Sequence, residues 1–408
     1  MKKIKIGLLF FDPFSINKGT AALAYSIIYL LNNISKKYNV NFDYICLEPC
    51  SPRQDLDDKV ITLNQEQTTV TLKQSFPSNT LKQVILKYLR YKKYLESLDI
   101  DFALDIGEGD SYSDIYGNAR FNKLNAVKRL YIRKKIPLAL LPQTIGPFSN
   151  IYNKKMATKT LKKCTSLMVR DKQSLQCIND LVGKKNIFSA PDIAFFMPFH
   201  RIHFDSSKIH VGLNISGLLW NGGYTKKNQF NLLTDYKVFI TRIIDYFEDE
   251  PNVVLHLVPH VIHEYPSIDN DYFISYDIFS QKKSNKMLLA PFFKTPVDAK
   301  SYIAGMDFFV GARMHSTIAA FSSEVPVCPV AYSRKFTGLY EDSLNYYHIA
   351  NLMKYNTEES INTVVSAYQQ RHSLKQEELL IMKEILTKRE LLENNIAEFL
   401  KLKEIVND

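Results

Sequence analysis

Cysteine is scarce in this chain: five residues in 408, an odd number, which excludes a disulfide-built scaffold. Cys46 and Cys50 stand four apart, but no second pair follows to complete a zinc site. Buried or incidental thiols in a reducing compartment are the reading that remains. Long apolar runs are missing too, and nothing approaches the roughly 18 residues that a spanning helix needs. The opening MKKIKIGLLFFDPF has an apolar stretch, but Lys5 interrupts it and Asp12 ends it, with no small-residue cleavage site. It is expected to be a first strand rather than a signal peptide, and the protein cytoplasmic. Internal repeats, low-complexity tracts and nucleic-acid-binding motifs are also lacking.

What is there has the composition of a folded α/β protein, with 46% hydrophobic and 23% charged residues and a length suited to two domains. Lys and Arg number 52 against 42 Asp and Glu. That excess favours an anionic ligand or an anionic surface. With no motif to read bases, a nucleic-acid partner is not expected.

Short apolar runs such as IKIGLLFF, DFALDIG, PLALLPQ and SLMVRD alternate with segments of helical period, including residues 20–34 and NTLKQVILKYLRYKKYLESL. Fully apolar strands separated by helices imply a parallel sheet covered on both faces. The pattern breaks over residues 191–208, where prolines interrupt it, and a second series starts at IHVGLNIS. The expected organisation is a Rossmann-like domain over 1–190, an interdomain segment at 191–208, a second Rossmann-like domain over 209–350, and C-terminal amphipathic helices over 351–408. In such sheets ligands bind beyond the carboxyl ends of the strands, so the loops there are the candidates.

After the first strand, Asn17, Gly19 and Thr20 open a helix, with Thr20 as an alternative N-cap. After DFALD, the loop IGEGDSYSDIYGN carries Glu108 and Asp110 between glycines and tyrosines. After PLALL, Gln143 is placed to meet sugar hydroxyls. Asn214 and Ser216 follow IHVGL in the second half. Arg170 stands at the tip of SLMVRD, where a guanidinium requires an acidic neighbour or an anionic ligand. His256, His260 and His263 tempt a metal assignment, but His256 lies inside an apolar strand and Pro259 breaks the helical face such a site needs. His260 facing the site as a single loop histidine is preferred, with no metal.

The densest signal is GARMHSTIAAFSSEVPVCPVAYSRK, residues 311–335. A helix beginning near Met314 aims its N-terminal dipole and N–H groups at the end of a strand, an anion site in waiting. Arg313 and His315 flank that point. Arg334 and Lys335 close the next strand. Fixed cations, an imidazole and a helix N-terminus together form a cradle for a multiply charged anion beside an acid/base group.

Taken in order, NKGTAAL, DIGEGDSYSD, PQTIGPF, VRDKQS, PDIAF, GLNISG, VPHVIH and GARMHS…AYSRKFTGL resemble the polysaccharide pyruvyltransferase family, over most of residues 4–345. The resemblance implies a fold like the two-lobed B-type glycosyltransferases (GT-B), with the acceptor on the first domain and the donor on the second. It also implies transfer of pyruvate from phosphoenolpyruvate to a saccharide as a cyclic ketal, with phosphate released and no cofactor required. Arg170, His315 and Lys335 match the family's functional arginine, histidine and lysine. His315 is then the proton-transfer group, and Arg170, Arg313, Arg334, Lys335 and Met314 hold the donor. Asn17, Gly19, Thr20, Glu108, Asp110, Gln143, Asn214, Ser216 and His260 face the acceptor, a cell-surface glycan. One departure stands out: the family's N-x-G-D loop reads Asn17-Lys18-Gly19-Thr20 here, leaving Asp12 or Asp110 to supply the carboxylate. Two alternatives are a nucleotide-sugar glycosyltransferase of the same fold and a non-catalytic saccharide-binding homologue. The basic excess and the C-terminal amphipathic helices also permit peripheral contact with the inner face of the membrane, where lipid-linked acceptors reside.

Overall fold

Strands in this protein are short and almost wholly buried: FALD at 102–105, LALLPQ at 138–143, FFVG at 308–311 and VCPVA at 327–331 expose essentially nothing. Such strands need a helix on each face, and the chain supplies one between nearly every pair. The computed structural model describes residues 3–47, 58–63, 66–73, 99–107, 112–115, 117–183 and 187–407. The amphipathic segment at 79–98 and the loop residues Glu108 and Asp110 lie outside the described residues.

The first sheet has eight strands in the order β3-β4-β2-β1-β5-β6-β7-β8. They are β1 (Lys3–Leu9), β2 (Asn41–Leu47), β3 (Asp58–Leu63), β4 (Glu66–Lys73), β5 (Phe102–Asp105), β6 (Leu138–Gln143), β7 (Ser166–Val169) and β8 (Ile187–Ser189). All pair in parallel except the edge strand β3, which is antiparallel to β4. α1 (Lys18–Tyr38), α2 (Asn118–Arg133), α3 (Ile151–Leu161) and α4 (Lys172–Val182) are crossovers between parallel strands. The sequence pattern anticipates these except β4, whose polar EQTTVTLK hides a strand, β8, three residues long, and α3, whose lysines blur its apolar stripe.

The second sheet runs β11-β10-β9-β12-β13-β14, wholly parallel. Its strands are β9 (Ile209–Asn214), β10 (Val253–Leu257), β11 (Met287–Leu289), β12 (Phe308–Gly311), β13 (Val327–Ala331) and β14 (Ala350–Asn351). Relabelled from its first strand, this is the order 3-2-1-4-5-6 of a doubly wound dinucleotide-type sheet, reversing direction between β9 and β12. Around it lie α5 (Gly217–Trp220), α6 (Tyr236–Asp249), α7 (Asp271–Lys282), α8 (Pro296–Ile303), α9 (Met314–Phe321), α10 (Arg334–Leu344) and α11 (Thr357–Gln369). α12 (Arg371–Phe399) and α13 (Leu402–Asn407) end the chain. Gly212 in β9 leaves room for a neighbouring strand's ring: a Cβ there would stand 2.5 Å from Phe309.

The chain divides into two units, but not at the expected boundaries. One comprises 1–13, 23–193 and 387–408; the other comprises 14–22 and 194–386. The break at 193 falls inside the expected interdomain segment. Two stretches change sides for physical reasons. Residues 14–22 are stitched to 260–262 by Lys18 N–H donating to His260 O at 3.0 Å and Ile262 N–H to Ile16 O at 3.0 Å. The chain end joins the first unit through Asn33 with Glu393, Lys37 with Asn394, and the rings of Phe102 and Phe399 at 5.5 Å. Among the described residues no helix is long and apolar enough to cross a membrane.

Candidate active site

In the second unit the sheet reverses between β9 and β12, whose last residues, Asn214 and Gly311, lie in register. Asn214, Asp271, Arg313, His260 and His315 are linked there. Arg313 caps α9 in extended conformation without contributing a side-chain cap, so the helix dipole is unopposed there. Its guanidinium turns instead to Asp271 at the start of α7: Nη2 lies 2.7 Å and Nε 3.2 Å from Oδ1, and Nη2 also donates to Asp269 O at 2.8 Å. Burial alone would lower the pKa of Arg313, but the Asp271 carboxylate outweighs it and holds the group charged. Arg313 is therefore a charge-neutralised strut rather than the free phosphate-binding cation the sequence suggests.

Asp271 is fully buried and organises its neighbours. It accepts from the backbone N–H groups of Gly217 at 2.9 Å, His260 at 3.2 Å and Val261 at 3.0 Å, and from Asn214 Nδ2 at 3.3 Å. Asn214 in turn accepts the Arg313 N–H at 2.9 Å and donates to Val258 O at 2.9 Å. Ser216 caps α5 by accepting from Leu219 N–H. Asn214 and Ser216, expected to contact the acceptor, use their polar groups inside the protein. Sequence inspection missed Asp271 because nothing in IDND separates it from Asp269.

Asn17 is the side-chain cap of α1, accepting the Gly19 N–H at 3.0 Å, and Thr20 sits buried in the first turn instead of capping it. Asn17 also forms an isolated antiparallel bridge with Val261. Gly19 is placed against His315: a Cβ there would lie 2.5 Å from the imidazole Nδ1 and 2.8 Å from its Cβ. The NKG loop thus admits the histidine side chain, and the small residue expected to let a ligand approach serves the protein's own imidazole. Lys18, which the sequence reading passed over, is buried with Nζ 3.3 Å from both Ser15 O and Lys294 O. Gly19→Ala is expected to dislodge the imidazole. Turnover should fall by about 10²-fold or more with the thermal midpoint shifted by only a few degrees, comparing initial rates with calorimetry.

His260 is 3% exposed, and among the described residues neither ring nitrogen finds a hydrogen-bond partner. Burial, then the charges of His315, Arg313 and Lys18, push its pKa well below the ordinary imidazole value, so it is neutral. A buried imidazole with both nitrogens unsatisfied costs about 1–3 kcal/mol per group, an expense that marks ligand sites more often than cores. Lys335 is half-buried in the first turn of α10, and Arg334 beside it is exposed. The Ser333 side chain does not cap that helix. Two uncapped helix N-termini, α9 and α10, therefore follow adjacent parallel strands.

The other two histidines of the H-x3-H-x2-H pattern go elsewhere. His263 meets Asp269 at 3.0 Å. His256 lies in a chain in which Tyr302 Oη stands 2.8 Å from its Nδ1, His210 Nδ1 is 2.8 Å from its Nε2, and His210 Nε2 is 3.0 Å from Asp205 O. A carbonyl can only accept, so the tautomers follow: His210 donates to Asp205, His256 to His210, and Tyr302 to His256. Burial, then His210, drives the His256 pKa down to about 3. The unfolded chain binds a proton near pH 6.5 that the folded one refuses, so stability is full above that pH and falls as pH drops toward 3. A decline of about 1 kcal/mol per pH unit is expected, flattened in His256→Gln, as read from urea midpoints between pH 7.5 and 4.5.

In the first unit, Arg170 follows β7 and pairs through Nη1 with buried Asp192 at 2.6 Å. Its Nε donates to Thr144 Oγ1 at 3.0 Å. Asp171, the obvious neighbour, instead caps α4 by accepting the Ser174 N–H at 2.7 Å. The acid that the strand-tip arginine required was thus Asp192 in APDIAFF, where a lone carboxylate among apolar residues was the available signal. Gln143 ends β6 with Nε2 donating to Asp105 O at 3.0 Å, so its amide is partly occupied within the protein. Asp105 also meets Lys128 at 2.8 Å, both fully buried, with the ammonium 4.5 Å from the centre of the Tyr112 ring. A helix lysine matched to a strand acid was not foreseen.

A family model described as polysaccharide pyruvyl transferase matches residues 17–334. No curated protein matches the chain by sequence. Among solved structures, a UDP-N-acetylglucosamine 2-epimerase candidate from Listeria monocytogenes aligns with TM-score 0.59 and 12% identity, covering 99% of this chain and 98% of that one. UDP-GlcNAc 2-epimerase from Neisseria meningitidis aligns at 0.55 and 10%, covering 97% and 100%. An α,α-trehalose-phosphate synthase from Burkholderia vietnamiensis aligns at 0.55 and 9%, covering 98% and 97%. Identities this low establish the fold alone: two Rossmann-like units of the GT-B class.

Proposed function

Because the chain belongs to the polysaccharide pyruvyl transferase family, we propose that it transfers the pyruvyl group of phosphoenolpyruvate to two hydroxyls of a saccharide, forming a cyclic ketal and releasing phosphate. The observation that carries this reading is the seating of His315 on Gly19, beside the neutral His260, at the reversal point of the second sheet.

The chemistry assigns a task to each group. Protonation of the donor's methylene carbon leaves C2 electron-deficient, and a saccharide hydroxyl adds there with loss of its proton. The C2–O bond to phosphate then breaks. The second hydroxyl adds to the same carbon, loses its proton and closes the ring. His315 handles the proton at the methylene carbon or the attacking hydroxyl. Neutral His260 can donate one hydrogen bond and accept another without adding a charge.

Phosphoenolpyruvate carries several negative charges, whereas Arg313 already has a carboxylate partner. The donor's charge is assigned to Lys335 and Arg334, which open α10, to Lys18, which opens α1, and to the N-termini of α9 and α10. Arg170 remains the candidate functional arginine of the first unit, oriented by Asp192. Gln143, through its Oε1, remains a candidate for a saccharide hydroxyl. No cofactor enters any step.

The test is release of inorganic phosphate from phosphoenolpyruvate by the purified protein, with and without acceptor glycans, and detection of ketal-linked pyruvate on the product. Acceptor-dependent phosphate release supports the assignment. Release of UDP from a nucleotide sugar instead would favour a glycosyltransferase.

A further inference from the structure

The positive charge of this protein is concentrated in one place. Between Ile115 and Val169 the chain carries twelve Lys or Arg and no Asp or Glu; the remaining 40 basic residues are outweighed by 42 acidic ones. The whole net charge of +10 is thus carried by about one-eighth of the chain. This stretch contains α2 and α3, successive crossovers β5–α2–β6 and β6–α3–β7. Right-handed crossovers between strands advancing in one direction lie side by side on one face of the sheet, and these two helices pack together.

Only Lys128 of the twelve is turned inward, onto Asp105. Arg129, Arg133, Lys135, Lys154, Lys155, Lys159, Lys162 and Lys163 are exposed. Arg129, Arg133, Lys159, Lys162 and Lys163, with Ile132 and Thr160, line a cleft of about 260 Å³ between the C-terminal turns of the two helices. At the other end of α3, Ile151 and Tyr152 stand 57% and 73% exposed. Asp114 stands at that end, accepting from the Ser149 and Asn150 N–H groups, but the two helices themselves carry only basic charge, and with an exposed tyrosine and isoleucine they suit an interface that is anionic at the surface and apolar beneath it.

We propose that the α2–α3 face docks this protein on a phospholipid surface rich in anionic headgroups, with the cleft receiving a headgroup phosphate. The cleft, between the C-terminal turns of the two helices, lies toward the end of the first sheet opposite its strand carboxyl ends, away from Gln143 and Arg170. The C-terminal helices, which the sequence offered for this role, are less suited: α12 carries six Glu against five Lys or Arg and so presents no net attraction. This inference does not depend on the reaction assigned above.

The test is co-sedimentation of the full-length protein with vesicles of phosphatidylcholine alone or of phosphatidylcholine with phosphatidylglycerol. Binding is expected only to the second, and to weaken as salt is added. Replacing Arg129, Arg133, Lys159, Lys162 and Lys163 by Gln should weaken it by at least about 100-fold. A control with Lys226, Lys227, Lys237, Lys283 and Lys383 replaced by Gln has the same net charge and should bind as the parent does. Turnover of a water-soluble acceptor should be unchanged in both. Absence of binding to anionic vesicles, or equal losses in the two variants, would overturn the proposal. So would tighter binding of a labelled RNA or DNA oligonucleotide that is lost with the same five residues, which would identify a nucleic-acid face.

Discussion

Replacing His315 by alanine is expected to lower phosphate release from phosphoenolpyruvate by about 10²–10⁴-fold, with little change in thermal unfolding. The imidazole sits in the first turn of α9, half-buried, on the backbone of Gly19. Its removal takes away the only proton-carrying side chain of the R-x-H motif without touching the Arg313–Asp271 pair that holds the motif in place. His315→Gln keeps a hydrogen-bonding side chain but cannot shuttle a proton, and should be as impaired as the alanine variant. Parent-level activity in either would remove His315 from the reaction. If Gly19→Ala lowers the rate while His315→Ala does not, the loop's contribution is shape rather than imidazole placement.

A second large effect is expected at Asp271, this time in stability. Asp271→Ala should destabilise the second unit by about 3–5 kcal/mol. It strands the Arg313 guanidinium and leaves the Gly217, His260 and Val261 N–H groups, all of which meet the carboxylate, without their acceptor. The measurement is a urea titration followed by near-ultraviolet circular dichroism. Replacing both partners with apolar residues, Asp271→Leu with Arg313→Met, should recover only the part of the loss owed to the stranded guanidinium, because the three N–H groups still lack an acceptor, and turnover should stay low. A loss below about 1 kcal/mol in the single variant would mean that the pair behaves as a surface ion pair, against its burial.

Neither effect could have been ranked from the sequence. The R-x-H motif was legible because its strand and helix are strongly periodic, and a strand–turn–helix junction aims the intervening residues at one point. The carboxylate that restrains the arginine was not legible. Asp271 lies 42 residues upstream, at the start of the helix that follows β10, and only the order β10-β9-β12 in the sheet brings it across. The same reasoning covers Asp192, which serves Arg170, and Asp105, which serves Lys128. Each buried cation demanded an acid, and the sequence held several nearby candidates. The choice depended on which backbone ends met.

Corrections in the first loop have the same origin. Asn17, Gly19 and Thr20 looked like ligand contacts because small polar residues after a strand often are. They proved to be a helix cap, a clearance for His315 and a buried first-turn residue.

The alternation of strands and helices in two series, the mainly parallel character of the sheets and the R-x-H junction follow from the sequence alone, because apolar runs and helical periods are local properties that short segments carry with them. The pairing of each buried charge, the neutrality of His260 and the lodging of residues 14–22 in the second unit were decided only by the tertiary structure. Those features are interactions between segments far apart in the chain, and their energies depend on burial and distance, quantities that no local pattern encodes.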